Sequence, residues 1–274
     1  MGGEVSFPER GIPAVTRHPL ARREDMDSLE MPDMMRDPAY RGVLDCYGIV
    51  SARLQGKAAV VCNIEGPMTK AALLRGLETF AMDLLQDPGS AQELVRLSVS
   101  LSQQFLEETS RRGAEVLFVA AATDNPELFG TEAFRQHTLP GVRQLVRSAQ
   151  ACGMVSIFHP HGVFSGKAKP LVAESVATGI RGFQFAEGND FQRLKPICQG
   201  QICILGGVDA FTTLLFGPQQ RIEEETAWFM RTCAPGGGYI FMCSCSLHRG
   251  MPLENLDALA RACREHGRYG APNP

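Results

Sequence analysis

No stretch of this chain stays apolar for the ~18 residues that a membrane-spanning helix needs, so no membrane segment is expected. Neither sign of charge dominates. The chain has 27 Lys and Arg against 30 Asp and Glu, a net charge of −3, which leaves no basic footprint for nucleic acid. The opening Met1-Gly2-Gly3-Glu4-Val5 lacks the apolar core of a secretory signal, and a cytoplasmic protein is expected. No Gly-x-Gly-x-x-Gly follows any strand-like run, which disfavours a dinucleotide-binding fold. Cys-x-x-Cys pairs, internal repeats and low-complexity segments are also absent.

What is there belongs to a globular chain. Its 274 residues are 44% hydrophobic and 21% charged, enough to bury one sizeable core. The nine cysteines are an odd number in a long chain, so they read as reduced thiols, mostly small buried hydrophobes, rather than a disulfide framework.

Residues 1–56 are rich in proline and charge and read as an arm with one helix near 37–54 and no buried strand. From residue 57 a rhythm sets in. Apolar, β-branched runs at 58–64, 115–121, 154–159, 182–186, 201–206 and 238–242 read as buried parallel strands. Helical patterns at 69–86, 90–112 (Ser90 as its cap), 131–152, 169–178, 190–196, 221–232 and 254–266 lie between and after them. This alternation predicts an α/β protein, a (β/α)8 TIM-type barrel over 57–274 with the arm of 1–56 packed on it. A full barrel takes ~250 residues and eight strands. Six strands are countable here, so the first two of a barrel are not in evidence. The gap would be filled by the arm, a second copy of the chain or a complementary subunit.

In such a barrel the chemistry sits at the carboxyl ends of strands. Those ends carry Glu65 and Met68, Asp124, His159-Pro160-His161, Glu187, Asp209 and Cys243-Ser244-Cys245. The histidine pair and the cysteine pair are 84 residues apart (245 − 161 = 84). Two imidazoles with a thiolate suit a catalytic zinc, three protein ligands leaving the fourth position open. The same side chains can equally be loop residues without a metal. Asp124, Glu187 and Asp209 read either as acid–base or substrate-contacting groups or as caps of the helices that follow.

Several of these strand ends resemble one family. Gly66-Pro67-Met68-Thr69 is similar to the Gly-Pro-Phe-Thr turn of the uroporphyrinogen decarboxylase superfamily. Gly113-Ala114-Glu115 resembles its Gly-Ala-Asp strand entry, Phe134 to Leu139-Pro140 its Phe-x-x-Phe-x-x-Pro helix start, and Leu205-Gly206-Gly207-Val208-Asp209 its Gly-Asn-Val-Asp turn. Gly237-Gly238-Tyr239-Ile240 and Pro252-Leu253-Glu254-Asn255 complete the set, over about 57–269. The corrinoid methyltransferase branch, which includes the methylcobamide:coenzyme M enzymes, carries a His-x-Cys motif and a distant Cys. His159 and Cys245 fall on the first and last of these, and His161 stands in place of the first Cys.

That resemblance implies zinc held by His159, His161 and Cys245, with Cys243 the alternative thiol and Glu65 a candidate fourth ligand. It implies a methylated corrinoid co-substrate, a corrinoid-protein partner and a thiol or folate acceptor. Asp209 and Asp124 are the catalytic candidates, and Glu65, Met68 and Glu187 the substrate-binding ones. A decarboxylase acting on a tetrapyrrole fits less well, because the Arg-rich motif and catalytic aspartate of that branch are not found; Met1–Phe7 resembles the segment that follows that aspartate. A non-catalytic module that binds a corrinoid protein is the third reading.

Overall fold

The arm begins with two short exposed strands, β1 (Glu4–Ser6) and β2 (Ala14–Arg17), paired antiparallel. A short helix α1 (Arg23–Asp27) follows, then α2 (Pro38–Leu54), whose Asp37 cap accepts hydrogen bonds from the N–H groups of Ala39 and Tyr40. The computed structural model describes residues 2–9, 13–27, 33–247 and 249–268. The last residues assigned to the barrel from sequence, 269–274, lie outside them. The chain divides into two compact units, Met1–Phe7, Pro13–His161 and Ala177–Ile180 in the first, and Pro8–Ile12, Gly162–Val176 and Arg181–Pro274 in the second.

In the first unit three apolar runs become parallel strands, β3 (Val61–Glu65), β4 (Val116–Ala121) and β5 (Val155–Pro160), with Val61 opposite Val116 and Val116 opposite Val155. Parallel neighbours need long crossovers, and helices supply them. The helix expected over 69–86 is two, α3 (Pro67–Arg75) and α4 (Leu77–Gln86). The break is Gly76, at φ 92°, a conformation that glycine tolerates and other residues resist. Beside it the Arg75 guanidinium is buried and donates to the carbonyls of Leu20 and Ala21 and to the Asp83 carboxylate, which fixes the bend.

The next helix, α5 (Pro88–Arg111), is capped by Asp87 and not by Ser90, whose N–H and hydroxyl both donate to that aspartate. Pro88 sits in the first turn, where its missing N–H costs nothing. The helix expected over 131–152 is also broken, into α6 (Pro126–Ala133), a π-helical turn (Phe134–Thr138) and α7 (Leu139–Ala151). Pro140 has no N–H to give, and the wider turn ahead of it accommodates that loss. Leu20, Met68, Ala71, Phe80 and Leu94 form one core cluster of this unit. Full burial of each larger side chain contributes about 1.5–3 kcal/mol.

The second unit repeats the scheme with α8 (Pro170–Val176), β6 (Gly182–Gln184), α9 (Phe191–Cys198), β7 (Cys203–Gly206), α10 (Gln219–Cys233), β8 (Tyr239–Phe241) and α11 (Leu253–His266). β6, β7 and β8 are parallel, with Gly182 opposite Cys203 and Ile204 opposite Tyr239. Val208, Leu214, Ile222, Met251 and Ala258 make a core cluster here. The buried Lys195 ammonium donates to the carbonyls of Cys233 (2.7 Å) and Gly237 (2.6 Å), satisfying the C-terminal end of α10.

Six parallel strands, three in each unit, alternate with helices among the described residues. This is the α/β, (β/α)-barrel-type architecture expected from the sequence. No described helix is long and apolar enough to cross a membrane.

Candidate metal centre

The carboxyl ends of β3 and β4 are locked together by one carboxylate. Asp124 is fully buried and accepts four hydrogen bonds: from the N–H groups of Met68 (3.1 Å) and Thr69 (2.9 Å), and from the hydroxyls of Thr69 (2.8 Å) and Thr138 (2.7 Å). It therefore satisfies orphan donors at the start of α3, while Asn125 caps α6. Burial pushes the Asp124 carboxyl up, and the four donors pull it back. Gly66 is required at this junction, because a Cβ there would lie 2.3 Å from Asp124 Oδ2. Met68 is 1% exposed and packs in the core with Phe80. Glu65 is about half exposed and lies 4.0 Å from the Lys70 ammonium.

His159 is the penultimate residue of β5, opposite Ala120 of β4, and is 5% exposed. Its ring rests on Phe118, with centroids 5.8 Å apart. His161 follows the strand and is held by its N–H donating to the carbonyl of Ala121 at 3.3 Å. The two imidazoles meet edge to face with centroids 5.0 Å apart. Two imidazoles thus lie together at one strand end, and imidazole is a donor type that suits a borderline-soft cation.

In the second unit the turn after β8 is set from three sides. Gln184 Nε2 donates to the carbonyls of Cys243 (3.3 Å) and Ser244 (3.2 Å). The Ser244 N–H donates to the carbonyl of Val208 at 2.9 Å, and its hydroxyl accepts from the N–H of Ala210 at 3.0 Å. Gln184 was not anticipated as a functional residue. A lone amide within the apolar run Gly182-Phe183-Gln184-Phe185-Ala186 was the available signal.

The two thiols differ. Cys243 Sγ donates to the carbonyl of Cys245 at 2.9 Å. Burial pushes Cys245 up; the N–H of Ser246 draws it down, and the Glu187 charge raises it further. One carboxylate oxygen of Glu187, Oε2, is buried and has no hydrogen-bond partner. Glu187 is not a helix cap; Asp190 fills that role for α9. Asp209 is a cap, its Oδ1 accepting at 2.8 Å from the N–H groups of both Phe211 and Thr212.

An orphaned buried carboxylate oxygen in the electrostatic reach of a thiol is a poor arrangement by itself. The Glu187 charge raises the cost of ionising the thiol. A cation removes that cost. Imidazole nitrogen, thiolate and carboxylate are each donor types that zinc accepts.

These features define a (β/α)-barrel-type protein with its polar chemistry at the carboxyl ends of the strands. The uroporphyrinogen decarboxylase (URO-D) family model matches residues 1–266, and the chain belongs to that family. It is 26% identical to a methylated-thiol–coenzyme M methyltransferase of Methanosarcina mazei, over 97% of this chain and 68% of the relative. It is 22% identical to a methylcobamide:CoM methyltransferase of Methanosarcina barkeri, over 97% of this chain and 76% of that one. A uroporphyrinogen decarboxylase of Anaeromyxobacter dehalogenans is 21% identical over 91% of this chain and 70% of its own length. Among solved structures, a methyltransferase from Methanosarcina mazei superimposes with a TM-score of 0.84 over 98% of this chain and 77% of that chain, at 22% identity.

Proposed function

We propose that the protein is a zinc-dependent methyltransferase that moves a methyl group from a methylated corrinoid, carried by a partner protein, to a small-molecule acceptor, a thiol or a folate. The observation that carries this reading is the imidazole pair of His159 and His161, 5.0 Å apart at one strand end. The names of the methyltransferase relatives, which act on methylcobamide and on thiols, support the reaction class.

In this reading His159, His161 and Cys245 hold the ion, and the unpartnered oxygen of Glu187 supplies negative charge beside Cys245. Zinc bound there would keep an acceptor thiol deprotonated at neutral pH. Histidine in place of a second cysteine makes the donor set harder and less negative, which lowers the electron density given to an acceptor thiolate. Gln184 holds the Cys243–Ser244 backbone, and so sets where Cys245 stands. Asp209 orders the loop after β7 through its cap, and Asp124 fixes the β3–α3 junction. Both act as positioning residues. Glu65 is the substrate-facing candidate of the first unit.

The test is the metal content of protein purified without added metal. Stoichiometric zinc in wild type, lost in both His159→Ala and Cys245→Ala, is expected, together with demethylation of methylcobalamin by a thiol in the presence of wild type only. Wild-type protein that neither contains nor takes up zinc would sink the metal reading.

A further inference from the structure

Among the nine cysteines, only Cys243 and Cys245 stand two positions apart. Both lie in the turn after β8, within the second unit. Both are half-buried, whereas Cys62, Cys198 and Cys233 are buried. A small oxidant can therefore reach the pair.

The backbone brings the two residues together. Two residue steps span at most about 7 Å when extended, and a disulfide takes Cα atoms about 4.4–6.8 Å apart. The chain bends at Ser244 and Cys245, which shortens the span. Cys243 Sγ already lies against its neighbour, 2.9 Å from the Cys245 carbonyl oxygen. The bend is held from outside: Gln184 donates to the carbonyls of Cys243 and Ser244, and Ser244 bonds to Val208 and Ala210. Closure therefore costs little further backbone entropy.

We propose that Cys243 and Cys245 are a redox switch on the candidate metal centre, closing to a reversible disulfide under a peroxide and so withdrawing Cys245 as a ligand. The Cys245 sulfur attacks the peroxide; an S–O bond forms, the O–O bond breaks and one water leaves. The Cys243 sulfur then attacks the sulfenic sulfur; the S–S bond forms, the S–O bond breaks and a second water leaves. Two thiols lose two electrons, the peroxide gains them, and both thiol protons end in water. A ring closed over so few residues is tight, which keeps the bond open to reduction by a thiol. The loss of the metal ligand rests on the zinc reading above; the disulfide does not.

Burial pushes both thiols up, which slows the first step, so the reaction is followed to completion. The experiment treats the full, zinc-free chain with hydrogen peroxide and reads intact mass and a peptide map. Wild type is expected to lose about 2 Da, with the bridge between Cys243 and Cys245, and to regain it with dithiothreitol. In Cys243→Ser the sulfenic acid has no neighbour to close on, so Cys245 gains oxygen instead. Dithiothreitol should then recover about tenfold less free Cys245 thiol than in wild type. Far-UV circular dichroism establishes that each protein is folded. No such mass loss in wild type, a bridge to any other cysteine, or equal thiol recovery in folded Cys243→Ser would each overturn the disulfide. In zinc-loaded wild type, peroxide should release the ion in step with bridging, and zinc retained by fully bridged protein would overturn the switch. Wild type that never takes up zinc sinks the metal reading and the switch with it, while the mass result still decides the disulfide.

Discussion

Asp124 and Thr69 are joined twice: Oδ2 of the aspartate accepts from the threonine N–H at 2.9 Å and from its hydroxyl at 2.8 Å. A residue just beyond the end of β4 thereby holds Thr69, 55 positions earlier, in the first turn of α3. Asp124→Ala leaves these buried donors, together with Met68 N–H and the Thr138 hydroxyl, without an acceptor. A loss of about 3 kcal/mol or more is expected, since orphaning each buried partner costs about 1–3 kcal/mol. In a chain of this size that corresponds to roughly 6 °C or more in Tm. Thermal unfolding checks it, and an unchanged Tm would show that the network is not structural.

Gly66 faces the same carboxylate. Its φ of −61° is ordinary, so the demand for glycine here is purely spatial. Gly66→Ala places a methyl group 2.3 Å from Asp124 Oδ2 and 2.6 Å from Ala121 Cβ, both in packed surroundings. Overpacking of this kind costs about 1–3 kcal/mol. Gly130→Ala, where no atom lies within 4 Å but φ is 84°, tests the opposite case, strain without a clash. Chemical denaturation of both separates the two causes: only the first should also perturb the Asp124 hydrogen bonds, read by amide exchange at Thr69.

Glu187 carries a buried carboxylate oxygen with no partner, beside Cys245. Glu187→Gln removes the charge and keeps the shape. If a cation sits at Cys245, zinc affinity should fall by about tenfold or more, as for loss of an outer-shell group. In metal-free protein the same change should lower the Cys245 pKa, because the glutamate charge raises it. Alkylation rates at Cys245 against pH read that second effect without any metal. Variants with unaltered zinc affinity and unaltered thiol titration would remove Glu187 from the site.

Two buried thiols, Cys198 and Cys233, and the half-buried Cys203 are expected to weaken the fold at alkaline pH. Burial pushes Cys198 from 9.0 to about 12 and Cys233 to about 11, and raises Cys203 as well. In each case the folded pKa lies above the unfolded one, so the folded state holds protons that the unfolded chain releases. Their stabilising contribution is complete below pH 9.0 and is lost as pH rises toward 11 and 12. Melting temperature should therefore fall steeply above pH 9.0 in wild type and less steeply in Cys198→Ala, even though that variant begins lower. Parallel curves for the two proteins would assign the alkaline limit to other groups.

Much of the fold was legible from local pattern. Continuous apolar runs marked the six parallel strands, because strands covered on both sides leave no polar face to interrupt them. The breaks within helices were not legible. Gly76 sits in an apolar helical pattern, and its role rests on Arg75 reaching Leu20, Ala21 and Asp83. Ser90 has the composition of a cap and yields to Asp87, since the helix gains a turn by starting at Pro88.

The residue types at the strand ends, His159, His161, Cys245, Glu187, Asp124 and Asp209, were determined by the sequence alone, because the βα rhythm places each of them at or shortly beyond the carboxyl end of a strand. Which of them hold structure and which are left to do chemistry was decided only by the tertiary structure. Asp124 and Asp209 look alike in sequence, yet one accepts four buried hydrogen bonds across two elements and the other caps its own turn. Glu187 resembles a cap and is left with an unpartnered oxygen. The reason is physical: the sequence fixes which donors and acceptors exist, and only packing decides which of them water can no longer reach and which neighbour must satisfy them instead.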